Sequence, residues 1–256
     1  MENKKIVLLG GRGLSTNIVF NSLNDTFGIH TAIIENDVSR KRLIKGRIKR
    51  LGFMKVVGQL MFQIGISPIL SFFSKRRRQE IIDTNFMNIT PISNDKTENV
   101  NSVNDAKTIE LLQTINPDLI IVNGTRIISK KVLESVQCKF INIHAGITPK
   151  YRGVHGTYWA LTNKDIENSG VTVHFVDTGI DTGSVIYQEK VIPTPKDNFS
   201  TYPLLQLTKG LKILNQAIID YFDNTISVKN PQLESHLWYH PTIFQYLYFR
   251  IKNKVK

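Results

Sequence analysis

A single cysteine, Cys138, stands among the 256 residues. One thiol excludes an intrachain disulfide and a thiolate-held metal cluster. Its neighbours Val136, Phe140 and Ile141 are apolar, so it reads as a buried structural thiol. A secretory signal is also missing. The opening MENKKIVLLGG has a short apolar run that passes straight into glycines, so a cytoplasmic protein is expected. There is no internal repeat and no low-complexity segment.

Acidic residues are missing from one long stretch. Between Arg40 and Arg78 there are twelve Lys and Arg and no Asp or Glu. The remainder has 21 basic and 21 acidic residues, so the net charge of +12 belongs to this segment and not to the whole fold. It reads RKRLIKGRIKR, then LGFMKVVGQLMFQIGISPILSFF, then SKRRR. Two readings stand. One is a helical insertion with its apolar face on the core and its basic face in water. The other is docking on an anionic surface such as lipid headgroups, peripheral at the membrane through residues 40–78. Lys55, Gln59, Gln63 and Pro68 interrupt the apolar stretch and argue against a spanning helix. No nucleic-acid partner is expected.

A hydrophobic content of 41% supplies a core, and the length suits one α/β domain with a tail. Strands are expected at 5–9, 29–34, 118–122, 140–143, 171–176 and 185–191. Helices are expected from a Ser15 cap to Leu23, at 106–115, from a Ser129 cap to Glu134, at 156–161 and at 201–222. Residues 88–103 read as polar and turn-rich. This alternation predicts a Rossmann-like α/β fold: a mostly parallel sheet with helices on both faces. The catalytic domain is placed at 1–225 with a basic helical insertion at 38–82. An aromatic and basic tail follows at 226–256.

The glycine run Gly11-x-Gly13-x-x-Thr16 lacks the third glycine of a dinucleotide loop, although Glu35 lies near the end of the second strand. A plain tight turn or a single-phosphate cradle suits it better.

The informative stretch is FINIHAGITPKYRG followed by GVTVHFVDTGIDTGSVIYQ. Asn142 and His144, two apart on a strand, have side chains on one side. Asp181 arrives 37 residues after His144 in a glycine-rich turn. Singly, each has a bland reading: strand-end residue, structural histidine, turn former. Together, an amide donor, an imidazole and a carboxylate are the parts for stabilising an oxyanion and moving a proton in acyl transfer. His174 reads as a packing residue at least as readily as a site residue, and His155 as a loop residue that only faces substrate.

These residues resemble the core of the folate-dependent formyltransferases, whose signature is Asn-x-His, a loop with Pro and Gly, and a later Ile-Asp-x-Gly. Here those are Asn142 to His144, Pro149 to Gly153, and Ile180 to Gly183. One departure is Gly146 to Pro149, where the family often has a Ser-Leu-Leu-Pro-like run. The resemblance implies the formyltransferase fold, 10-formyltetrahydrofolate as co-substrate and no metal. It implies that backbone groups near Arg126, Ile127 and Ile128, and through Val176, Asp177 and Ile180, meet the folate. It implies that Gly11, Arg12, Gly13 and Ser15, with Arg152, hold a phosphate of the amine substrate. Asn142 and a protonated His144 would stabilise the formyl oxygen, a preorganised donor being worth about 3 kcal/mol. Asp181 would favour the charged imidazole.

The acceptor is expected to be a nucleotide-linked amino sugar for surface polysaccharide. The methionyl-tRNA members carry a further C-terminal domain, whereas 75 residues follow Asp181 here. The purine-pathway glycinamide ribonucleotide enzyme has an acid in the helix after the catalytic turn, and nothing acidic lies between Asp197 and Asp220. That enzyme remains the alternative, with a 10-formyltetrahydrofolate hydrolase. A non-catalytic binding module would have no use for all three polar residues.

Overall fold

In the computed structural model, which describes residues 4–256, the sheet has β1 (Ile6–Gly11), β2 (Ile29–Glu35), β3 (Thr97–Val100), β4 (Leu119–Asn123) and β5 (Lys139–His144). The short β6 (Arg152–Gly153) lies outside it, and β7 (Gly170–Phe175) and β8 (Val185–Lys190) complete it. The order is β3-β2-β1-β4-β5-β7-β8. The pairings from β3 through β5 are parallel, and β7 is antiparallel to both neighbours. β6 pairs in parallel with β9 (Leu237–Trp238) from the tail. Leu8, Ile33, Ile120 and Ile141 are fully buried, as strands covered on both faces must be.

The helices are α1 (Leu14–Phe27), α2 (Arg40–Leu51), α3 (Phe53–Met61), α4 (Ser67–Phe73), α5 (Lys75–Thr84), α6 (Ala106–Ile115), α7 (Lys130–Leu133), α8 (Gly156–Thr162), α9 (Tyr202–Phe222) and α10 (Ile243–Lys252). One apolar cluster packs α1, α5 and α9 on one sheet face, and a second packs α6 and α7 on the other. A third, aromatic cluster joins Phe62, Tyr151, Tyr158, Trp159, Phe199 and Tyr246, and so binds the basic insertion and the tail to the loop after β5.

The mostly parallel α/β fold agrees with the sequence reading. Three local differences have physical causes. β3 lies in the polar stretch and buries only Val100, so no apolar alternation marks it. Ser15 does not cap α1; Gly13 occupies the cap position, at φ 144. Ser129 does stand at the N-cap of α7, but its side chain makes no capping bond.

Candidate active site

Asn142 and His144 lie at the carboxyl end of β5, where the sheet changes from parallel to antiparallel pairing. They share a cleft of about 820 Å³ with Asp181. This is where α/β sheets place ligands.

His144 is buried with both ring nitrogens engaged. Nε2–H donates to the Tyr151 carbonyl at 2.8 Å, and Nδ1 is 3.3 Å from Asp181 Oδ1. The other Asp181 oxygen accepts the Gly153 N–H at 2.9 Å. Asp181 sits at φ 51, in the left-handed region an L side chain rarely adopts. Arg152 donates to the Ile180 carbonyl at 3.1 Å and so fixes the turn that presents Asp181.

The loop after His144 is locked from below. Thr172 Oγ1 donates to the Gly146 carbonyl and accepts the Thr148 N–H, and Gln188 donates to the Thr148 carbonyl. Gly146 lets the Tyr151 carbonyl reach the imidazole. A Cβ there would stand 2.2 Å from that oxygen and 2.7 Å from His144 Nε2.

Asn142 is oriented by His174. His174 Nδ1–H donates to the Phe175 carbonyl at 2.7 Å, which leaves Nε2 to accept from Asn142 Nδ2 at 3.1 Å. One N–H of the Asn142 amide is thereby used, and its partner on the same nitrogen is free to donate. His174 therefore positions Asn142 in addition to packing.

Burial pushes the His144 imidazole below its ordinary value, and the Asp181 carboxylate offsets this only in part. Burial raises the Asp181 carboxyl and the Gly153 N–H lowers it; the further pull from His144 and His174, which takes it to about 2, acts only when those rings carry a proton. The expected protonated imidazole is thus disfavoured at rest. An ionised carboxylate beside an unprotonated Nδ1, with Nε2–H fixed elsewhere, is arranged to receive a proton.

The expected folate residues Arg126, Ile127, Ile128, Val176, Asp177 and Ile180 all line this cleft. The Arg126 N–H is spent on Glu35 at 2.7 Å and the Ile127 carbonyl on Asn104 at 2.8 Å. The N–H groups of Ile127 and Ile128 have no protein partner among the described residues. These groups fit a ligand read through backbone. Glu35 is a buried internal anchor that also accepts the Val103 N–H and pairs with the Arg126 guanidinium, so it is not a ribose acid.

The expected phosphate residues divide. Ser15 lines the cleft. Gly11, Arg12 and Gly13 instead line a separate cavity of about 180 Å³, where Arg12 donates to Asn36 at 2.8 Å. Arg152 serves the Asp181 turn. Facing the cleft instead are Arg42, Arg47 and Arg50 of α2. Sequence reasoning found their charge but not their direction. The tail supplies Leu237 to His240 to the same cleft, and His240 Nδ1 lies 2.9 Å from Nε2 of His155. Among the described residues no group of three His, Cys, Asp or Glu is placed to hold a metal.

Residues 74–218 match the family model described as formyl transferase. Among curated proteins, the methionyl-tRNA formyltransferase of Finegoldia magna is 34% identical over 121 residues. That match takes in 47% of this chain and 39% of the relative, so the chain spans well under half of the relative's length. Among solved structures, a sugar N-formyltransferase of a Shewanella species superposes over 91% of this chain and 76% of its own, with a TM-score of 0.56 and 15% identity. An N-formyltransferase of Helicobacter canadensis, in complex with folinic acid and dTDP-3-aminofucose, superposes over 91% of this chain and 70% of its own, with a TM-score of 0.54 and 17% identity.

Proposed function

The chain belongs to the formyl transferase family, and on that premise we propose that it moves a formyl group from 10-formyltetrahydrofolate to the primary amine of a nucleotide-linked amino sugar. The observation that carries this reading is the convergence of Asn142, His144 and Asp181 in a cleft bordered by Arg42, Arg47 and Arg50. The folate supplies an activated formyl group when bound, and the cleft backbone at Ile127, Ile128, Val176 and Ile180 would hold its pterin. Each protein group then has a distinct task. The free N–H of Asn142 donates to the oxygen that gains negative charge, an interaction of about 3 kcal/mol. The attacking amine sheds a proton as its bond to carbon forms. His144 Nδ1 takes that proton, because Nε2–H is committed to Tyr151. The imidazolium so formed lies against ionised Asp181 and strengthens the field on the same oxygen. Delivery of the proton to the departing nitrogen resets the pair.

The α2 arginines favour an acceptor that carries phosphate, since a guanidinium binds phosphate in a bidentate fork. The Helicobacter neighbour, with a dTDP-linked aminosugar bound, supports the sugar class. The methionyl-tRNA relatives favour a second reading, in which the same arginines meet an aminoacylated RNA end. Incubation with 10-formyltetrahydrofolate and either a panel of dTDP- and UDP-linked amino sugars or methionyl-tRNA decides between them. Formylation of a nucleotide sugar is expected. Formylation of methionyl-tRNA alone refutes the sugar assignment, and turnover of neither class refutes both acceptor readings.

A further inference from the structure

The stretch from Phe53 to Phe73 forms one run of helix with a mean hydropathy of 1.6, yet little of it is buried. Its inner side is bound to the domain. Val56, Gln59 and Phe62 are buried, Gln59 donates to the His240 carbonyl at 2.8 Å, and Phe62 packs on Tyr246 at 5.1 Å between ring centroids. Its outer side has no cover. Met54, Met61, Ile64, Ile69, Phe72 and Phe73 are exposed, Met54 by 79% and Phe73 by 80%. Met54 and Met61 share one stripe of α3, and past the π-helical turn Phe62–Ile66 the exposed Pro68 and Phe72 share one of α4.

A second apolar stripe lies beside it. α10 packs on α3 where Gly58 meets Thr242 so closely that a Cβ would stand 2.9 Å away. Its outer residues Phe244, Leu247, Tyr248 and Ile251 are exposed, Ile251 by 81%. Cations flank both stripes. Lys75 Nζ sits 4.8 Å from the centre of the Phe72 ring, and Lys252 Nζ sits 5.0 Å from that of Tyr248. Exposed Lys55, Arg76, Arg250 and Lys254 add to them. Residues 40–78 and 237–256 contain no acid.

We propose that the outer faces of the Phe53–Phe73 helix and α10 together form a docking surface for an anionic bilayer, lying in the headgroup layer without crossing it. Aromatic residues beside cations suit the headgroup level, exposed apolar side chains suit the acyl boundary, and the missing acids remove repulsion. A spanning helix is excluded by the inner side, which would have to leave the aromatic core and break the Gln59–His240 bond. The reading does not depend on the identity of the acceptor.

The test is sedimentation of the full chain with vesicles of mixed phosphatidylcholine and phosphatidylglycerol, and with vesicles of phosphatidylcholine alone. Sedimentation with the anionic vesicles only, weakened by salt, is expected. The pair K75Q and R76Q should weaken partitioning about 25-fold, at roughly fivefold per cation. The quadruple variant F72S, F73S, F244S and I251S should abolish it, with an unchanged far-ultraviolet spectrum because all four side chains are already in water. Phe72→Leu with Phe73→Leu should retain binding. Three results overturn the proposal. One is equal sedimentation with and without anionic lipid. Another is retention in the membrane after alkaline carbonate extraction, which means a span. The third is a dimer in solution that the quadruple variant dissociates while vesicles bind nothing, which means that a second copy covers the surface. Because none of these readouts uses formyl transfer, their failure is separable from failure of the proposed reaction.

Discussion

The Tyr151 carbonyl accepts a hydrogen bond from Nε2–H of His144 at 2.8 Å, and this bond decides which imidazole nitrogen is available for chemistry. It survives only because residue 146 has no side chain. Gly146→Ala should therefore push the carbonyl away and let the ring turn. A loss of about a hundredfold in kcat is expected, the usual cost of a misplaced reacting group. Steady-state kinetics with a thermal-unfolding control checks this; unchanged kcat in a folded variant removes Tyr151 from the account.

His144→Ala and Asp181→Asn should each lower turnover by at least about a hundredfold. Folate affinity, followed by calorimetry, should change little, because the pterin is proposed to be read by backbone. The pH profile separates two roles for the imidazole. A neutral proton acceptor with a depressed pKa gives an acid limb below the ordinary value of 6.5 and no loss above it. A rate that falls as pH rises through neutrality would instead require the imidazolium from the start.

Arg47→Gln together with Arg50→Gln should raise KM for a phosphorylated acceptor roughly a hundredfold, since hydrogen bonds to charged groups are worth about 1.5 kcal/mol or more each. The effect on kcat should be small, because the role proposed for these arginines is binding and not chemistry. An acceptor analogue without phosphate should not distinguish the variant from the parent. Loss of kcat at unchanged KM would place these arginines elsewhere in the cycle.

Acid stability should be governed in part by His155 and His240. Burial pushes them down to about 3 and about 4, from an ordinary 6.5. Below pH 6.5 the unfolded chain gains protons at both rings while the folded chain does not. Their contribution is thus full above about 6.5 and lost on acidification toward about 4. The loss approaches about 1.4 kcal/mol per pH unit for each ring. Urea unfolding at pH 7 and pH 5 measures it, and His240→Asn should flatten the dependence by about half. A stability independent of pH across that window would mean that both rings titrate in the folded protein as they do in the unfolded chain.

The convergence of the three polar residues was legible because the chemistry of acyl transfer calls for their types and a strand dictates the spacing of two of them. Asn142, His144 and Asp181 do meet. The groups that orient them were not legible, because a backbone carbonyl at Tyr151 and a backbone N–H at Gly153 leave no mark in residue identity. His174 was read as packing because its bond to Asn142 joins two strands that are apart in sequence. The glycines at 11 and 13 suggested a cradle, yet the turn opens into the smaller cavity. The charge of α2 was visible, but its direction depends on how α2 packs against α3 and on the Arg47–Gln63 bond. Two cations of SKRRR are structural: Arg77 donates to buried Asp197 at 2.8 Å and Arg78 to Ser71 at 3.1 Å, whereas Lys75 and Arg76 are exposed.

The pairing of β6 with β9 reaches further than its two residues suggest. The Arg152 N–H donates to the His236 carbonyl and the Val154 N–H to the Trp238 carbonyl, and Gly153 between them holds Asp181. The carboxylate proposed to act in catalysis is thus aimed by a segment beyond residue 218, where the family match stops. A recombinant chimera cut at that boundary would inherit the sheet, the imidazole and the amide, but would import a foreign gunsight for the aspartate. Transplants of specificity between relatives should therefore exchange the tail with the catalytic turn, as one cassette.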